Sequence, residues 1–424
     1  MLQNNPSASN SATASKRAQW LVLAAAFLGW MFDGLEMGIF PLVARPALQT
    51  MMPTAAGLGQ DQFVGTWMGY ITALFLIGAA CGGLVFGWLG DRIGRVRAMT
   101  LSILTYSIFS GLCFFAQQPW QLGALRFLAA LGMGGEWSLG VALVMETWPR
   151  DKRPLLAGVI GAASNVGFAL IAVFGYYFKV TQDSWRWVMI AGAAPAVLAL
   201  VIQMIVPESE RWKEAVKQGG GKPIKDIFSG ALLKSTLLAI VFASVALIGT
   251  WGSVQWLPLW ADQLTGGKVP TAKAATQILS GVGAIVGCLI GALAAGKLGR
   301  RPAYFVMCLL SLSLCGCLFR FVHEYGTTFL ILVTLVGGVT AAFYGWLPLY
   351  LPELFPTRVR ATGQGLCYNS GRIFAAVGAL AQGQLVATYG GSYAKAGATI
   401  TLIYVVGMVL IWLAPETKDR PLPE

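Results

Sequence analysis

Twelve apolar runs, each long enough to cross a bilayer, occupy most of this 424-residue chain and leave it few possible folds. They fall at 20–44, 63–89, 98–117, 120–146, 154–179, 185–206, 233–260, 274–297, 302–322, 325–351, 360–388 and 393–414. A spanning helix needs about 20 apolar residues, and within lipid only helices and closed barrels satisfy their own backbone hydrogen bonds. These runs are too long for barrel strands and do not alternate, so helices are predicted. Only 11% of residues are charged, against about 25% in an ordinary soluble domain. The reading is an all-α integral membrane protein with twelve transmembrane helices, its main partner the lipid bilayer.

The net charge of +12 is an orientation signal rather than a nucleic-acid signal. With the N-terminus inside, the inner segments carry 21 Lys and Arg and the outer segments 6. That positive-inside bias predicts a multi-pass protein of the cell (inner or plasma) membrane with both termini cytoplasmic.

The chain also repeats itself at half-length. ETWPRDKR, Glu146 to Arg153, returns as ELFPTRVR, Glu353 to Arg360, at an offset of 207 residues. Gly94-Arg95 returns as Gly299-Arg300, offset 205. Gly161, Asn165 and Gly167 return as Gly365, Asn369 and Gly371, offset 204; PESERW at 207 returns as PETKDR at 415, offset 208. Four landmarks in order imply duplication. The predicted organisation is a disordered tail over 1–19, a six-helix bundle over 20–206, a cytoplasmic linker over 207–232, a second six-helix bundle over 233–414 and a tail over 415–424. In paired bundles of this kind the substrate sits at their interface.

GWLGDRIGRVR (87–97), the fourth-run pattern from Arg126 to Gly135, PESERW and PETKDR together resemble the twelve-helix major facilitator superfamily over nearly the whole chain. GMGGEWSLGVALVMETWP and LPELFPTRVRATGQG resemble its organic-acid branches, including aromatic-acid and sialic-acid proton symporters. The resemblance implies two pseudo-symmetric bundles, alternating access and a proton gradient as driving force. The seventh run, LIGTWGSVQWLPLW, lacks the paired-glutamine motif of the sugar porters, which counts against a neutral hexose.

Polar groups at bilayer depth are costly and mark function. Asp33 and Glu36 share one helical face by their i, i+3 spacing. Asp33 lies about 20 Å from the inner boundary, and Arg126 lies at about 21 Å for a core of about 30 Å. An Asp33–Arg126 pair is therefore geometrically possible; resembling proton symporters use this first-helix acid and fourth-helix arginine for coupling. Glu36 has three open roles: coupling, cation contact or a hydrated outer cavity. Glu136 is a gate, a second coupling acid or structural. Arg372, near the midplane without an acid in its own run, fits a substrate carboxylate, which a guanidinium binds bidentately; pairing with Asp33, Glu36 or Glu136 is the alternative. Asn165 and Asn369 are substrate contacts or helix-packing groups. Trp137, Trp251, Gln255, Tyr344 and Trp346 are candidates for the cavity wall or for packing. Asp91, Arg92, Arg95, Glu146, Arg153, Glu353 and Arg360 have the charges for a cytoplasmic gate.

The seven cysteines lack metal or paired-loop spacing, and a single histidine, His323, is too few for a zinc site or a catalytic triad. With no nucleophile–base pair or Walker loop, no enzyme, metal or cofactor is expected. The reading is a monomeric secondary active transporter that symports a small organic anion, such as an aromatic or sugar acid, with protons. A proton-coupled sugar or polyol porter, a drug or metabolite exporter, and a non-transporting membrane sensor are the alternatives.

Overall fold

A computed structural model describes residues 15–52, 60–178, 180–217, 223–266, 268–269 and 271–424. Among them eleven helical spans are long and apolar enough to cross a membrane. The first six are α1 (Lys16–Thr50), α2 (Gln60–Ile93), α3 (Arg95–Leu112), α4 (Pro119–Thr147), α5 (Arg153–Tyr177) and α6, which runs Trp185–Ala191 and resumes at Pro195–Ile205. The second six are α7 (Gly230–Gly252, continuing through a 3-10 turn into Leu257–Thr265), α8 (Ala272–Leu298), α9 (Arg300–Phe321), α10 (Thr327–Leu354), α11 (Arg360–Thr388) and α12 (Tyr393–Ile400 and Ile403–Leu410). The twelfth span is α11, as long as the others at 29 residues. It is less apolar because Gln364, Asn369 and Arg372 punctuate it.

The repeated landmarks are the punctuation of this fold. Within each octet the aromatic residue precedes proline, and a residue in that position is driven out of helix into extended backbone. Trp148 (φ −94°, ψ 149°) thus ends α4, and Phe355 (φ −121°, ψ 132°) ends α10. A 3-10 turn follows each proline, and the octet's final arginine opens the next helix. Gly94 and Gly299 separate α2 from α3 and α8 from α9 at φ 109° and 103°, a conformation in which only glycine is unstrained.

Helix α1 begins at Lys16, capped by the Ser15 hydroxyl, which accepts from the Ala18 amide at 3.2 Å. Residues 16–19, expected in the tail, are therefore helical; residues 1–14 of that tail lie outside the described residues. The segment expected as a linker carries two short helices, Glu210–Lys217 and Pro223–Ile227, and its glycines at 219–221 lie outside the described residues.

Helix α2 packs against α4 and α11, and α5 packs against α1 and α8. The α2–α11 and α5–α8 contacts are seams between the halves, and they exchange under the repeat. Close approach depends on missing side chains. A Cβ at Gly365 would sit 2.4 Å from the Gly83 carbonyl oxygen, and one at Gly161 would sit 2.2 Å from that of Tyr344. The circumference exposes aliphatic side chains such as Ile290, Val377 and Val409, an apolar coat suited to lipid.

Candidate functional site

A cavity of about 240 Å³ lies between the halves. Trp30 and Met37 of α1, Asn165 and Phe168 of α5, Trp251 and Gln255 of α7, Gln277 of α8, Tyr344 of α10, and Tyr368 and Arg372 of α11 line it. Five aromatic rings and several amides thus surround one guanidinium. Arg372 is buried, its carbon lies 5.5 Å from the Tyr368 ring centre, and its Nη1 has no hydrogen-bond partner. A buried guanidinium with a free donor in a cavity has the chemistry to take a carboxylate oxygen.

Behind the cavity lie the buried acids. Asp33 is wholly buried and neither carboxyl oxygen has a hydrogen-bond partner. It is within electrostatic reach of Glu136 and Arg372. Glu136 packs onto Gly29, one turn before Asp33 on α1, and its two oxygens are likewise without partners. The two carboxyl groups lie side by side, an arrangement in which both cannot hold charge cheaply.

The partner of Arg126 is Glu36, not Asp33. Its Nη1 donates to Glu36 Oε1, which also accepts from the Ser110 hydroxyl at 2.7 Å. The guanidinium is flanked by the Phe75 and Phe40 rings at 4.6 and 5.2 Å. Asp33 and Glu36 share a face, but one turn of helix separates them, and the matched depth of Asp33 and Arg126 did not resolve that turn.

Three other sequence candidates stand apart from the cavity lining. Asn369 is fully buried, and its amide donates to the carbonyl oxygens of Gly134 on α4 (2.8 Å) and Gly365 (3.0 Å). It joins the two halves, whereas Asn165 faces the cavity. Trp137 stacks behind the wall against Tyr368. Trp346 is buried with its indole N–H on the Arg300 carbonyl, 2.9 Å. Sequence reasoning missed Trp30, Phe168, Gln277 and Tyr368. The only signal for Tyr368 was its place beside Asn369, one turn before Arg372.

At the end of the molecule where α1 starts and the chain finishes, here the terminal end, charged side chains interlock. Arg95 bonds Asp91 at 2.6 Å and Glu146 at 3.1 Å, and Arg360 of the second half bonds the same Glu146 oxygen at 2.8 Å. Asp91 accepts from the Thr362 amide (2.8 Å), its hydroxyl (2.6 Å) and the Ala361 amide (3.2 Å), all at the start of α11. In the second half Arg300 grips Glu353 with two bonds, 2.9 and 2.5 Å. One residue expected in the gate lies outside the network. Arg92 is exposed and stacks on its own helix's Trp88 at 4.7 Å. Arg153 is buried within electrostatic reach of Glu353 and Arg360, and its Nε has no hydrogen-bond partner.

The repeated PES and PET segments act here too. Glu208 accepts from the Arg95 and Val96 amides, both 3.0 Å, and Glu416 accepts from those of Arg300 and Arg301, both 3.0 Å. Each carboxylate covers the free N–H groups that open a helix, where negative charge is favoured. Burial opposes the charge of Glu416, but amide donors from Arg300, Arg301 and Lys418 outweigh it and hold its carboxyl below the ordinary glutamate range.

The family model described as Major Facilitator Superfamily matches residues 20–298, and that of Sugar (and other) transporter matches 263–424. The chain belongs to the major facilitator superfamily. It is a multi-span membrane transporter and not an enzyme. It is similar to the inner membrane metabolite transport protein YgcS of Escherichia coli, with 29% identity over 95% of this chain and 92% of that one. It is also similar to the gentisate transporter of Corynebacterium glutamicum, with 27% identity over 86% and 81%. In fold it matches the proton:xylose symporter XylE with a TM-score of 0.78 at 17% identity, covering 95% of this chain and 97% of that one.

Proposed function

We propose that the protein carries a small organic anion across the inner membrane together with protons, by alternating access of the cavity between the two halves. One observation carries this reading: the unpartnered Arg372 donor faces the cavity while the unpartnered Asp33 carboxyl lies within its electrostatic reach. A carboxylate arriving at Arg372 weakens the arginine's hold on Asp33 and raises the proton affinity of that acid. Anion and proton then bind together, which is the thermodynamic requirement of symport. Glu136 shares the proton, and the Glu36–Arg126 pair fixes the helix face that carries Asp33.

The aromatic rings suit a planar acid, with Asn165, Gln255 and Gln277 able to bond its other polar groups. The similarity to a gentisate transporter supports that class. The surplus of inner-segment Lys and Arg supports a cytoplasmic terminal end. The Asp91–Arg95–Glu146–Arg360 network is then the latch that closes that side, and the chain works as a monomer.

The deciding experiment is uptake of gentisate and related aromatic acids into proteoliposomes with an imposed pH gradient. Uphill accumulation that collapses with a protonophore is expected. Gradient-independent equilibration of every acid tested, or binding without flux, would overturn proton symport; the latter outcome is the sensor reading.

A further inference from the structure

Three rings from both halves meet at the cavity's inner wall. Trp137 of α4 stacks on Tyr368 of α11, with centres 4.1 Å apart and planes 18° apart. Trp30 of α1 meets the Tyr368 ring edge-on at 6.2 Å and the Trp137 ring at 6.3 Å. All three are nearly inaccessible, at 3–4% exposure. Trp30 and Tyr368 line the cavity while Trp137 lies behind them. Trp30 and Trp137 belong to the first half and Tyr368 to the second, so the cluster crosses the seam that must part if the cavity is to open toward the terminal end.

We propose that Trp30, Trp137 and Tyr368 form an aromatic floor, a second closure in series with the ionic latch. The latch holds the start of α11 through Arg360, Ala361 and Thr362. Tyr368 lies eight residues further on, about 12 Å along the same helix. Between the two, the Gln364 amide donates to the Ser138 carbonyl of α4 at 2.5 Å, and beyond it Asn369 reaches Gly134. One edge of α11 is thus fastened to the first half at successive depths, by ions, then the Gln364 amide, then the Tyr368 ring with the Asn369 amide beside it. Tyr368 is also the positioning residue for Arg372, whose guanidinium rests over its ring. The cation that faces the cavity is therefore mounted on the ring that closes its floor. Aromatic contact weakens little with salt or pH, so the floor keeps the cavity shut when the ionic latch is titrated or screened. The alternating-access reading gives the floor its purpose, but closure itself is measurable without any substrate.

The test places a cysteine in the cavity, Ala172→Cys, and reads its labelling by a membrane-impermeant methanethiosulfonate in right-side-out and inverted vesicles. The parent without that cysteine supplies the background. With both closures intact, labelling from the terminal side is low, and Asp91→Asn alone leaves it within about twofold. Asp91→Asn with Trp137→Ala or Tyr368→Ala raises it at least about fivefold, the population change expected from losing ring pairs across a seam. Asp91→Asn with Tyr368→Phe, which keeps the ring, stays low. Labelling from the opposite side reports intact fold in every variant, and Trp137→Phe replaces Trp137→Ala where that signal is lost. Full terminal-side labelling with Asp91→Asn alone, or none in the double variants, would overturn the floor.

Discussion

Arg360 of α11 and Arg95 of α3 donate to one oxygen of Glu146, at 2.8 and 3.1 Å, so a single buried carboxylate holds an arginine from each half. Removing that charge leaves two buried cations facing each other. Breaking a buried pair in this way costs about 3–5 kcal/mol, and in the proposed latch that cost falls on the state in which the terminal end is closed. Glu146→Gln should therefore part the rim ends of α4 and α11 while the aromatic floor still keeps the cavity shut. Disulfide trapping between the ends of α4 and α11 measures this, and the trapped fraction should fall at least about tenfold. Trapping equal to the parent's would show that Glu146 does not hold the closed state.

Glu36 and Arg126 make the converse case, a pair within one half that no rocking needs to break. Arg126→Ala leaves Glu36 buried, with Ser110 as its remaining donor. A loss of about 3–5 kcal/mol is expected, read as a fall in melting temperature in detergent. Arg126→Met combined with Glu36→Gln should regain most of it, because replacing both partners removes the uncompensated charge. A double variant as unstable as Arg126→Ala would mean that the arginine matters for packing rather than charge.

Much of this architecture was legible in the sequence because it is written in local rules. Run length specifies helices, aromatic-proline breaks them, and Gly94 and Gly299 mark the sharp reversals between paired helices. What was not legible depends on partners distant in the chain. The Glu208 and Glu416 caps reach across 113 and 116 residues to α3 and α9, and their repeated motifs gave no hint of a carboxylate placed on a helix start. Asp33 and Glu36 could not be ranked as partners of Arg126, since one helical turn is smaller than the error in a depth counted from a run boundary. Asn165 and Asn369 occupy the same motif and differ only because the cavity opens beside α5 while α11 is fastened to α4. Arg92 has the right charge at the rim, but it is exposed and stacks on Trp88 of its own helix.

Asp33→Asn separates coupling from transport. The amide keeps the size of the carboxyl group and cannot exchange a proton. Counterflow of the transported acid, which needs no net proton movement, should persist within about threefold, while accumulation driven by a pH gradient disappears. Gradient-driven accumulation at the parental level would remove Asp33 from the coupling step.

Arg372→Ala tests the anion anchor. Hydrogen bonds to charged groups contribute about 1.5–3 kcal/mol, which corresponds to a loss of about ten- to two-hundredfold in affinity for the transported acid. Arg372→Lys should recover little, because an ammonium lacks the planar guanidinium that presents its Nη1 donor to the cavity. An amide analogue of the same acid should bind parent and variant alike. Equal weakening for acid and amide would show that the residue shapes the cavity rather than binding charge.

Glu416 supplies the pH-dependent prediction. Its carboxyl is held below the ordinary glutamate range by the amides at the start of α9, so the folded state favours the charged form. A group depressed in this way contributes its full stability above its unfolded value, near pH 4.5, and loses it as pH falls through the folded value. The parent should lose thermal stability over that acid range. Glu416→Gln should start from a lower plateau at pH 7 by about 1 kcal/mol, the size of a helix-capping loss, and show a flatter acid limb. Glycine at 299 adds a second check: at φ 103° with a Cβ that would lie 3.0 Å from the Glu416 carboxyl, Gly299→Ala strains the backbone and crowds the cap together. Its acid limb should resemble that of Glu416→Gln. An unchanged limb in both variants would place the acid sensitivity in another carboxylate.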